Sequence, residues 1–352
     1  MIRDRTGDHD LAANASRGTR RSTCGPLMVL AGIALAAAAC GRGAAPVPAA
    51  AASLPPEAEQ VSTAGSVAAS FRHVNLHVQD GIVLEIRRLD GILISTTPGA
   101  IASFDDPRSY SVRVDSAEVG ISPRSLSNLM NQRVFAYKGA PLKNVEVSME
   151  AGRLKEKGTM RKGVDVPFSM LADVSLTADG RIRLHPVSMK VLGIETRGLM
   201  KFLGIDLRGM IALRESSGIE IQGDDFLMAS DRMMPLPKFA GRLTGVRIEG
   251  TRLIEQFGPP PAAAAAGPSD RTARSFLSFR GGTLRFGRLT MADTDLEIVG
   301  ETPDGILEFS VPNQTGQLVA GYSKTRANGG LTVYVPNYGT TALAYPPGPR
   351  KP

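Results

Sequence analysis

Three of the four histidines are the residues whose spacing comes nearest to a metal site. His73 and His77 lie four positions apart, which would suit a shared ion on a helix. The segment around them alternates instead, with Val74 and Val78 in the opposite phase, so it predicts a β-strand. On a strand the two rings would lie about 13 Å apart, too far for one ion. His185 stands alone, and we therefore expect no metal site and no cofactor.

Paired carboxylates offer a second route to chemistry. Asp105-Asp106 and Asp224-Asp225 each adjoin a turn-like segment, where adjacent carboxylates most often form solvated turns. Asp224-Asp225 could in principle bind Ca²⁺, but the other oxygen ligands are not spaced as in a known calcium loop. The sequence has no G-x-S-x-G elbow, no P-loop and no dinucleotide fingerprint. We expect a protein that is not an enzyme, although a catalytic site without a local motif remains an alternative.

The two cysteines lie in or beside an N-terminal leader. Arg20-Arg21 precede an apolar stretch from Leu27 to Ala39, which has the length of a secretory signal. Small residues then lead directly into Cys40, and this arrangement resembles the lipobox of bacterial lipoproteins. The resemblance implies a signal peptide over 1–39 and a lipid on the Cys40 thiol. An ordinary signal peptide cut near Ala39 is the alternative.

Gly41 follows the cysteine, which resembles the pattern of lipoproteins sorted to the outer membrane. The expected location is thus the bacterial cell envelope, on the periplasmic face of the outer membrane. The chain has 352 residues and a net charge of +7, and removal of the leader, with five Arg and three Asp, leaves +5. The basic residues form no dense cluster, so we expect a membrane surface as partner and no nucleic acid.

The composition divides the rest of the chain into folded and unfolded parts. Hydrophobic residues make up 42% of the sequence, enough for a packed core, whereas two stretches rich in Pro and Ala have few side chains to bury. The predicted order is a lipid-anchored linker over 40–70, a β domain over 71–257, a Pro/Ala-rich linker or loop over 258–270, a C-terminal β region over 271–345 packed on the same sheet, and a disordered tail over 346–352.

Within the folded part the signals favour antiparallel β structure. Asp-Gly pairs suit two-residue turns, so Asp90-Gly91 and Asp179-Gly180 each predict a hairpin. A further strand is expected at 317–323. Helices are expected from Ser122, a good N-cap, to about Val134, and from Glu195 to Leu203.

The segment Leu142–Leu207 has a recognisable order: a strand, a turn, the strand VDVPFSM, an Asp-Gly hairpin and the short helix GLMKFLG. It resembles bacterial members of the tubular lipid-binding superfamily, relatives of bactericidal/permeability-increasing proteins. The resemblance implies a mainly β (α+β) fold, in which a long curved antiparallel sheet wraps round one or two short helices. An acyl chain would lie between sheet and helix. The groove residues that it implies are Val164, Val166, Phe168, Met170, Leu199, Met200, Phe202 and Leu203.

The sequence therefore predicts an envelope lipoprotein that binds or shuttles a lipid or another apolar ligand in a groove. Several methionines between 200 and 234 agree with a surface that adapts to variable apolar partners, although methionine also fills ordinary cores. The alternative is a non-catalytic structural or adaptor lipoprotein with a solid core, which would bind another envelope protein.

Overall fold

Strands dominate the part of the chain that the structure describes. This computed structural model describes residues 65–162, 164–195, 217–259, 273–302 and 305–339. Their strands form three sheets, and the predicted mainly β class, with large antiparallel sheets and few short helices, is confirmed. The leader, Cys40, residues 40–64 of the predicted linker and the expected helix at 195–203, apart from Glu195, lie outside the described residues. The predicted end of the linker at residue 70 is wrong, because β1 begins at Val67, where Val67 and Ala69 are already buried in the core.

The main sheet contains 11 strands drawn from both ends of the described chain. They are β1 Val67–Gln79, β2 Ile82–Ser95, β4 Tyr110–Ile121, β12 Lys238–Ala240, β13 Leu243–Glu249, β14 Arg252–Phe257, β15 Phe276–Arg280, β18 Asp295–Gly300, β19 Leu307–Ser310, β20 Tyr322–Thr325 and β21 Leu331–Val335. The order is β13-β14-β4-β2-β1-β15-β18-β21-β20, while β12 also pairs with β4 and β19 with β1.

A second sheet of seven strands is formed by consecutive hairpins in the middle of the chain. Its strands are β5 Leu142–Glu150, β6 Arg153–Lys162, β7 Val164–Leu176, β8 Ile182–Val191, β9 Ile194–Glu195, β10 Ile219–Gln222 and β11 Asp225–Met228. The order is β10-β11-β8-β7-β6-β5, and β9 pairs with β8. A small third sheet consists of β3 Ala102–Ser103, β16 Thr283–Phe286 and β17 Leu289–Ala292.

Three short α-helices accompany the sheets in the described residues: α1 Pro123–Leu129, α2 Ser230–Met233 and α3 Gln314–Ala320. The predicted start of α1 is confirmed, because the Ser122 hydroxyl accepts a hydrogen bond from the Ser125 amide at 3.2 Å. A π-helical turn, Met130–Val134, extends α1 to the predicted end. Leu126, Leu129 and Met130 are buried, so this helix fixes one side of the core.

Two local predictions are wrong for identifiable reasons. Asp90-Gly91 does not form a turn, because β2 runs straight through it. A Cβ at Gly91 would lie 2.3 Å from the Arg113 carbonyl oxygen, so glycine is required here for the close approach of β4. The Asp90 carboxylate forms an ion pair of 2.8 Å with Arg72 on the neighbouring strand β1. The Asp179-Gly180 hairpin, in contrast, is confirmed as the turn between β7 and β8.

The second error is the expected strand at 317–323, where helix α3 and then β20 are found. Gln317 is fully buried, and its side chain satisfies backbone groups of neighbouring strands. Its amide donates to the Glu308 carbonyl at 2.8 Å and to the Pro336 carbonyl at 3.0 Å, and its oxygen accepts from the Ser310 amide at 2.7 Å. One glutamine thus replaces part of the hydrogen-bond ladder between β19 and β21.

One large cluster of buried apolar side chains includes residues of all three sheets. On β1 the predicted alternation is confirmed, since Val74 and Val78 are buried. His73 has a φ of 50°, and this left-handed residue shifts the alternation by one, so that Phe71 and Val74 both face the core.

Candidate functional site

A cleft of about 1100 Å³ lies where the two larger sheets meet. We call the β7–β8 turn, β10 and β11 the first wall of its lining, and the start of β13, the end of β14 and α2 the second wall. The two walls are in contact, because the Ala229 amide before α2 donates a hydrogen bond of 2.8 Å to the Gly218 carbonyl before β10. The turn fits closely against β13, because a Cβ at Gly180 would lie 3.5 Å from the Leu243 carbonyl oxygen. Apolar side chains that line the cleft include Ile219, Ile221, Leu227, Leu243 and Phe257.

Charged side chains on the first wall satisfy one another. Arg181 donates to the Asp179 carboxylate at 2.7 Å and to the Glu220 carboxylate at 2.8 Å. These contacts connect the β7–β8 turn to β10 across the sheet. The three groups together carry one negative charge, and their mutual contacts leave them little capacity for a ligand.

The second wall carries charged groups that remain available. Arg232 and Asp231 lie on α2, Arg242 precedes β13, and all three side chains are exposed. Within the described residues none of them forms an ion pair or a side-chain hydrogen bond. The two free guanidiniums can therefore donate hydrogen bonds to an anionic group of a ligand, whereas the free carboxylate of Asp231 would repel that group.

An apolar cavity of about 30 Å³ lies behind this wall and shares Ser230, Asp231 and Phe257 with the cleft. Its lining combines side chains of β2, β4 and β14, among them the buried acid Glu255. Glu255 is 3% exposed and accepts a hydrogen bond of 2.9 Å from the Ser230 hydroxyl. Burial raises the pKa of Glu255 to about 7, although the Ser230 hydrogen bond acts in the opposite direction.

A second apolar cavity, also of about 30 Å³, lies behind the first wall and shares Ile219 with the cleft. It contains a second buried acid, Glu156 of β6, which lies in register between Val147 and Met170. Burial raises the pKa of Glu156 to about 7, and its carboxyl makes no hydrogen bond or ion pair with any described residue. The other lining residues are Met130, Phe135, Leu142, Phe168, Met170, Leu184, Met189, Phe226 and Met228.

Two of the predicted groove residues line this second cavity. Phe168 and Met170 are 6% and 4% exposed and point to the core face of β7. Val166 is half-buried against the core, whereas Val164 is 69% exposed at the beginning of the strand. The other four, Leu199, Met200, Phe202 and Leu203, lie outside the described residues, as does Cys40.

The ring of Phe168 owes its position to a glycine on the neighbouring strand. Gly158 is its partner in the β6–β7 register, and a Cβ at Gly158 would lie 2.9 Å from the ring. The same Cβ would lie 2.9 Å from the Lys143 carbonyl oxygen. Only glycine leaves room here for both the ring and the β5 backbone.

Sequence reasoning did not identify the two buried acids or the charged wall. For Glu156 a signal existed, because it alternates with Leu154 and Met160 on the apolar face of β6. A single acidic residue among the apolar residues that alternate on one face of a strand indicates a buried carboxyl group. Glu255 offered no comparable signal, and Arg232 and Arg242 line the same cleft only in the folded chain.

Each histidine considered above has its own partner. His77 lies 2.6 Å from the Glu308 carboxylate, and His185 lies 2.6 Å from the Asp225 carboxylate. His73 contacts the Arg274 carbonyl at 3.2 Å. Across the described ranges, no group of three or more His, Cys, Asp or Glu side chains is arranged to hold a metal ion.

The acidic pairs behave as parts of turns. The Asp105 carboxylate accepts a hydrogen bond from the Gly287 amide, and that of Asp106 accepts one from the Arg108 amide at 3.1 Å. Asp225, beside Asp224, also forms an ion pair of 2.6 Å with Arg183. These contacts engage the carboxylates of Asp105, Asp106 and Asp225 within the protein.

Comparison with protein-family models, with curated proteins and with solved structures found no match to this chain. No helix among the described residues is long and apolar enough to cross a membrane.

Proposed function

We propose that this chain binds an amphiphilic lipid in the cleft between its two larger sheets. One observation carries the proposal: the cleft has about 1100 Å³ of space, and its walls join buried apolar side chains to two unpaired guanidiniums. Ligand sites for amphiphiles combine apolar side chains with polar groups that orient the head, and this cleft is at the polar end of that range, with six charged side chains in its lining. Arg232 and Arg242 would contact an anionic head group, while Ile221 and Leu243 would contact the tail.

The two apolar cavities would extend the space for the tail. At about 30 Å³ each holds no more than a water molecule or two, so a tail would have to displace side chains. The cavity next to Ile219 suits such a change, because unbranched methionine side chains repack at low cost. Four of its lining residues are methionines: Met130, Met170, Met189 and Met228.

Binding of this kind needs no covalent step. Each methylene of a tail that leaves water contributes about 0.8 kcal/mol, and each charge-assisted hydrogen bond to the head adds about 1.5–3 kcal/mol. Release of the lipid at a membrane does not forfeit this free energy, because the tail moves there into another apolar environment. The proposed activity is therefore lipid binding or transfer, without catalysis.

We also propose that the protein acts at the bacterial cell envelope, held by a lipid on Cys40 and by a linker between Cys40 and β1. A flexible linker of some 25 residues would have a reach on the order of 30 Å. Such a tether would keep the cleft near a membrane surface from which a lipid could be taken.

A structural or adaptor role is the second candidate, and the dense packing of the Glu156 cavity favours it. Phe168 lies against Gly158 with no free space between them, and the residual volume is that of a solid core. In this case the cleft would remain empty and another envelope protein would be the partner.

Lipid analysis of the purified full chain separates the two candidates. The variant Arg232→Glu/Arg242→Glu reverses the two free charges at exposed positions, and the variant Arg124→Glu/Arg288→Glu makes the same change at exposed positions outside the cleft. Lipid binding predicts that native mass spectrometry finds a bound lipid in the parent and in the control, with at least about tenfold less in the cleft variant. A parent protein without any lipid, or equal occupancy in both variants, would support the adaptor role.

A further inference from the structure

The β8–β9 turn presents apolar side chains to solvent. Val191 pairs with Ile194, so Leu192 and Gly193 form a two-residue turn at the end of the second sheet. Leu192 is 61% exposed and Ile194 is 62% exposed. A turn of this kind in a folded protein usually carries polar residues.

The backbone of this turn is an unfavourable place for leucine. Leu192 has a φ of 55° and Gly193 a φ of 77°, and both values lie in the left-handed region. Asparagine, aspartate or glycine would adopt this conformation at lower cost than leucine. Folding alone therefore does not explain an exposed leucine here, whereas a surface contact of its side chain would.

A third apolar residue lies at the same end of the sheet. The Leu192 amide donates a hydrogen bond of 2.9 Å to the Pro167 carbonyl, which attaches the turn to β7. Val164 begins β7 and is 69% exposed. We name this set of three residues, Val164, Leu192 and Ile194, the apolar tip.

Basic residues lie at the same end of the sheet as the apolar tip. This end includes the start of β5, the end of β6 and the end of β8, and among the side chains that the structure describes it carries four basic and two acidic residues in or next to these strands. The acids are already engaged, because Asp165 bonds to Arg161 at 3.1 Å and Glu195 bonds to Ser188 at 2.9 Å. Lys138 and Lys190 are exposed and form no ion pair with a described residue. The six residues are Lys138, Lys143, Arg161, Lys190, Asp165 and Glu195.

We propose that the apolar tip docks on an anionic lipid bilayer. Its three side chains would enter the boundary between head groups and acyl chains, and Lys138 and Lys190 would contact the anionic head groups. An apolar surface inside a cationic rim is the combination that binds peripheral proteins to such membranes. The proposal concerns the end of the second sheet and does not depend on a ligand in the cleft.

A fluorophore that senses polarity tests the contact directly. The full chain would carry Cys24→Ser, Cys40→Ser and Leu192→Cys, so that a nitrobenzoxadiazole label attaches at position 192 alone and no lipid anchor forms. With vesicles of phosphatidylcholine and phosphatidylglycerol, the emission should shift to the blue and rise in intensity. Leu289→Cys in the same background is the control, because Leu289 is an exposed residue of similar type on β17, in the third sheet.

The variant Lys138→Glu/Lys190→Glu, made in the labelled chain, tests the contribution of the two exposed lysines. Each lysine near an anionic surface should strengthen the vesicle affinity roughly fivefold, so reversal of both charges should weaken it by at least about 25-fold. Vesicles of phosphatidylcholine alone should give a much weaker response. Equal responses at positions 192 and 289, or no response at 192, would overturn the proposal. A label at 192 that is already shielded without vesicles would also overturn it and would indicate a protein contact.

Discussion

Two glutamates, Glu156 and Glu255, are buried with few polar contacts to the described residues. Glu156 has no partner in the described part of the chain, and Glu255 has one hydroxyl. Burial without a cation favours the neutral acid, so both side chains keep their protons at a pH where an exposed glutamate has lost its own. In the neutral form each is compatible with the apolar cavity that it lines.

This protonation makes the stability of the fold depend on pH in a defined direction. The pKa of Glu156 rises from 4.5 to about 7 on folding. Between these values the unfolded chain has released a proton that the folded chain retains, so the free energy of unfolding falls as the pH rises. Glu156 alone accounts for a loss of roughly 3 kcal/mol, complete above about pH 7.

The variant Glu156→Gln/Glu255→Gln should remove most of this dependence of the free energy of unfolding on pH. Glutamine is nearly isosteric with glutamate and is neutral at every pH. We expect the variant to gain stability relative to the parent at pH 8 and to change little at pH 4. Chemical denaturation at several pH values measures the effect, with the exposed Glu301→Gln as the control. A slope that persists unchanged in the double variant would contradict the assignment of the protons to these two acids.

At the scale of the elements, β1 is the strand on which the main sheet depends. β2 pairs along one edge, while β15 pairs with Ala68–Arg72 and β19 with Val74–His77 on the other edge. Residues before and after the Pro/Ala-rich segment at 258–270 thus share one sheet. The β1–β19 contact is reinforced by side chains, since Glu308 accepts hydrogen bonds of 2.6 Å from both His77 and Asn75.

We therefore expect that the chain does not fold when it is cut after residue 258. Loss of β15 and β19 would leave one edge of β1 unpaired and expose core residues such as Phe71, which packs at 5.8 Å from Phe279. The measurement is the circular dichroism and sedimentation of the truncated chain beside the full chain. A soluble, cooperatively unfolding truncated protein would show instead that the C-terminal strands are a separate domain.

At the scale of the whole molecule, different regions would have different functions. The cleft would bind the ligand, the apolar tip would touch the bilayer, and Cys40 would keep the protein at the membrane. A single acylated cysteine provides attachment that does not require the folded part, so attachment and ligand binding should be separable.

Cys40→Ser should accordingly move the protein from the membrane fraction to the soluble fraction, or leave the leader uncut. Lipid bound in the cleft should be retained by the released protein, because the substitution lies far outside the cleft in sequence. Fractionation with intact-mass analysis checks both points, and Cys24→Ser is the control. An unmodified N-terminus at another residue of the parent protein would rule out the anchor.

Local patterns in the sequence determined several individual strands, a helix start and a turn of this protein. The alternation around Val74, the Ser122 cap and the Asp179-Gly180 turn each depend on neighbours a few residues away, and the structure confirms them. The mainly β class follows from many such segments. These features could be predicted because backbone propensity and hydrophobic period act over short distances along the chain.

Contacts between distant segments decided the rest. Gly91 serves the approach of β4 and not a turn, and Gln317 lies in a helix because its amide satisfies strands on both sides. The cleft brings the 179–181 turn to residues 241–243, some 60 positions later in the chain. The burial of Glu156, with its shifted pKa, also requires the complete second sheet. Only tertiary structure determines such features, because the free energy of a close approach or a buried charge depends on atoms that the local sequence does not specify.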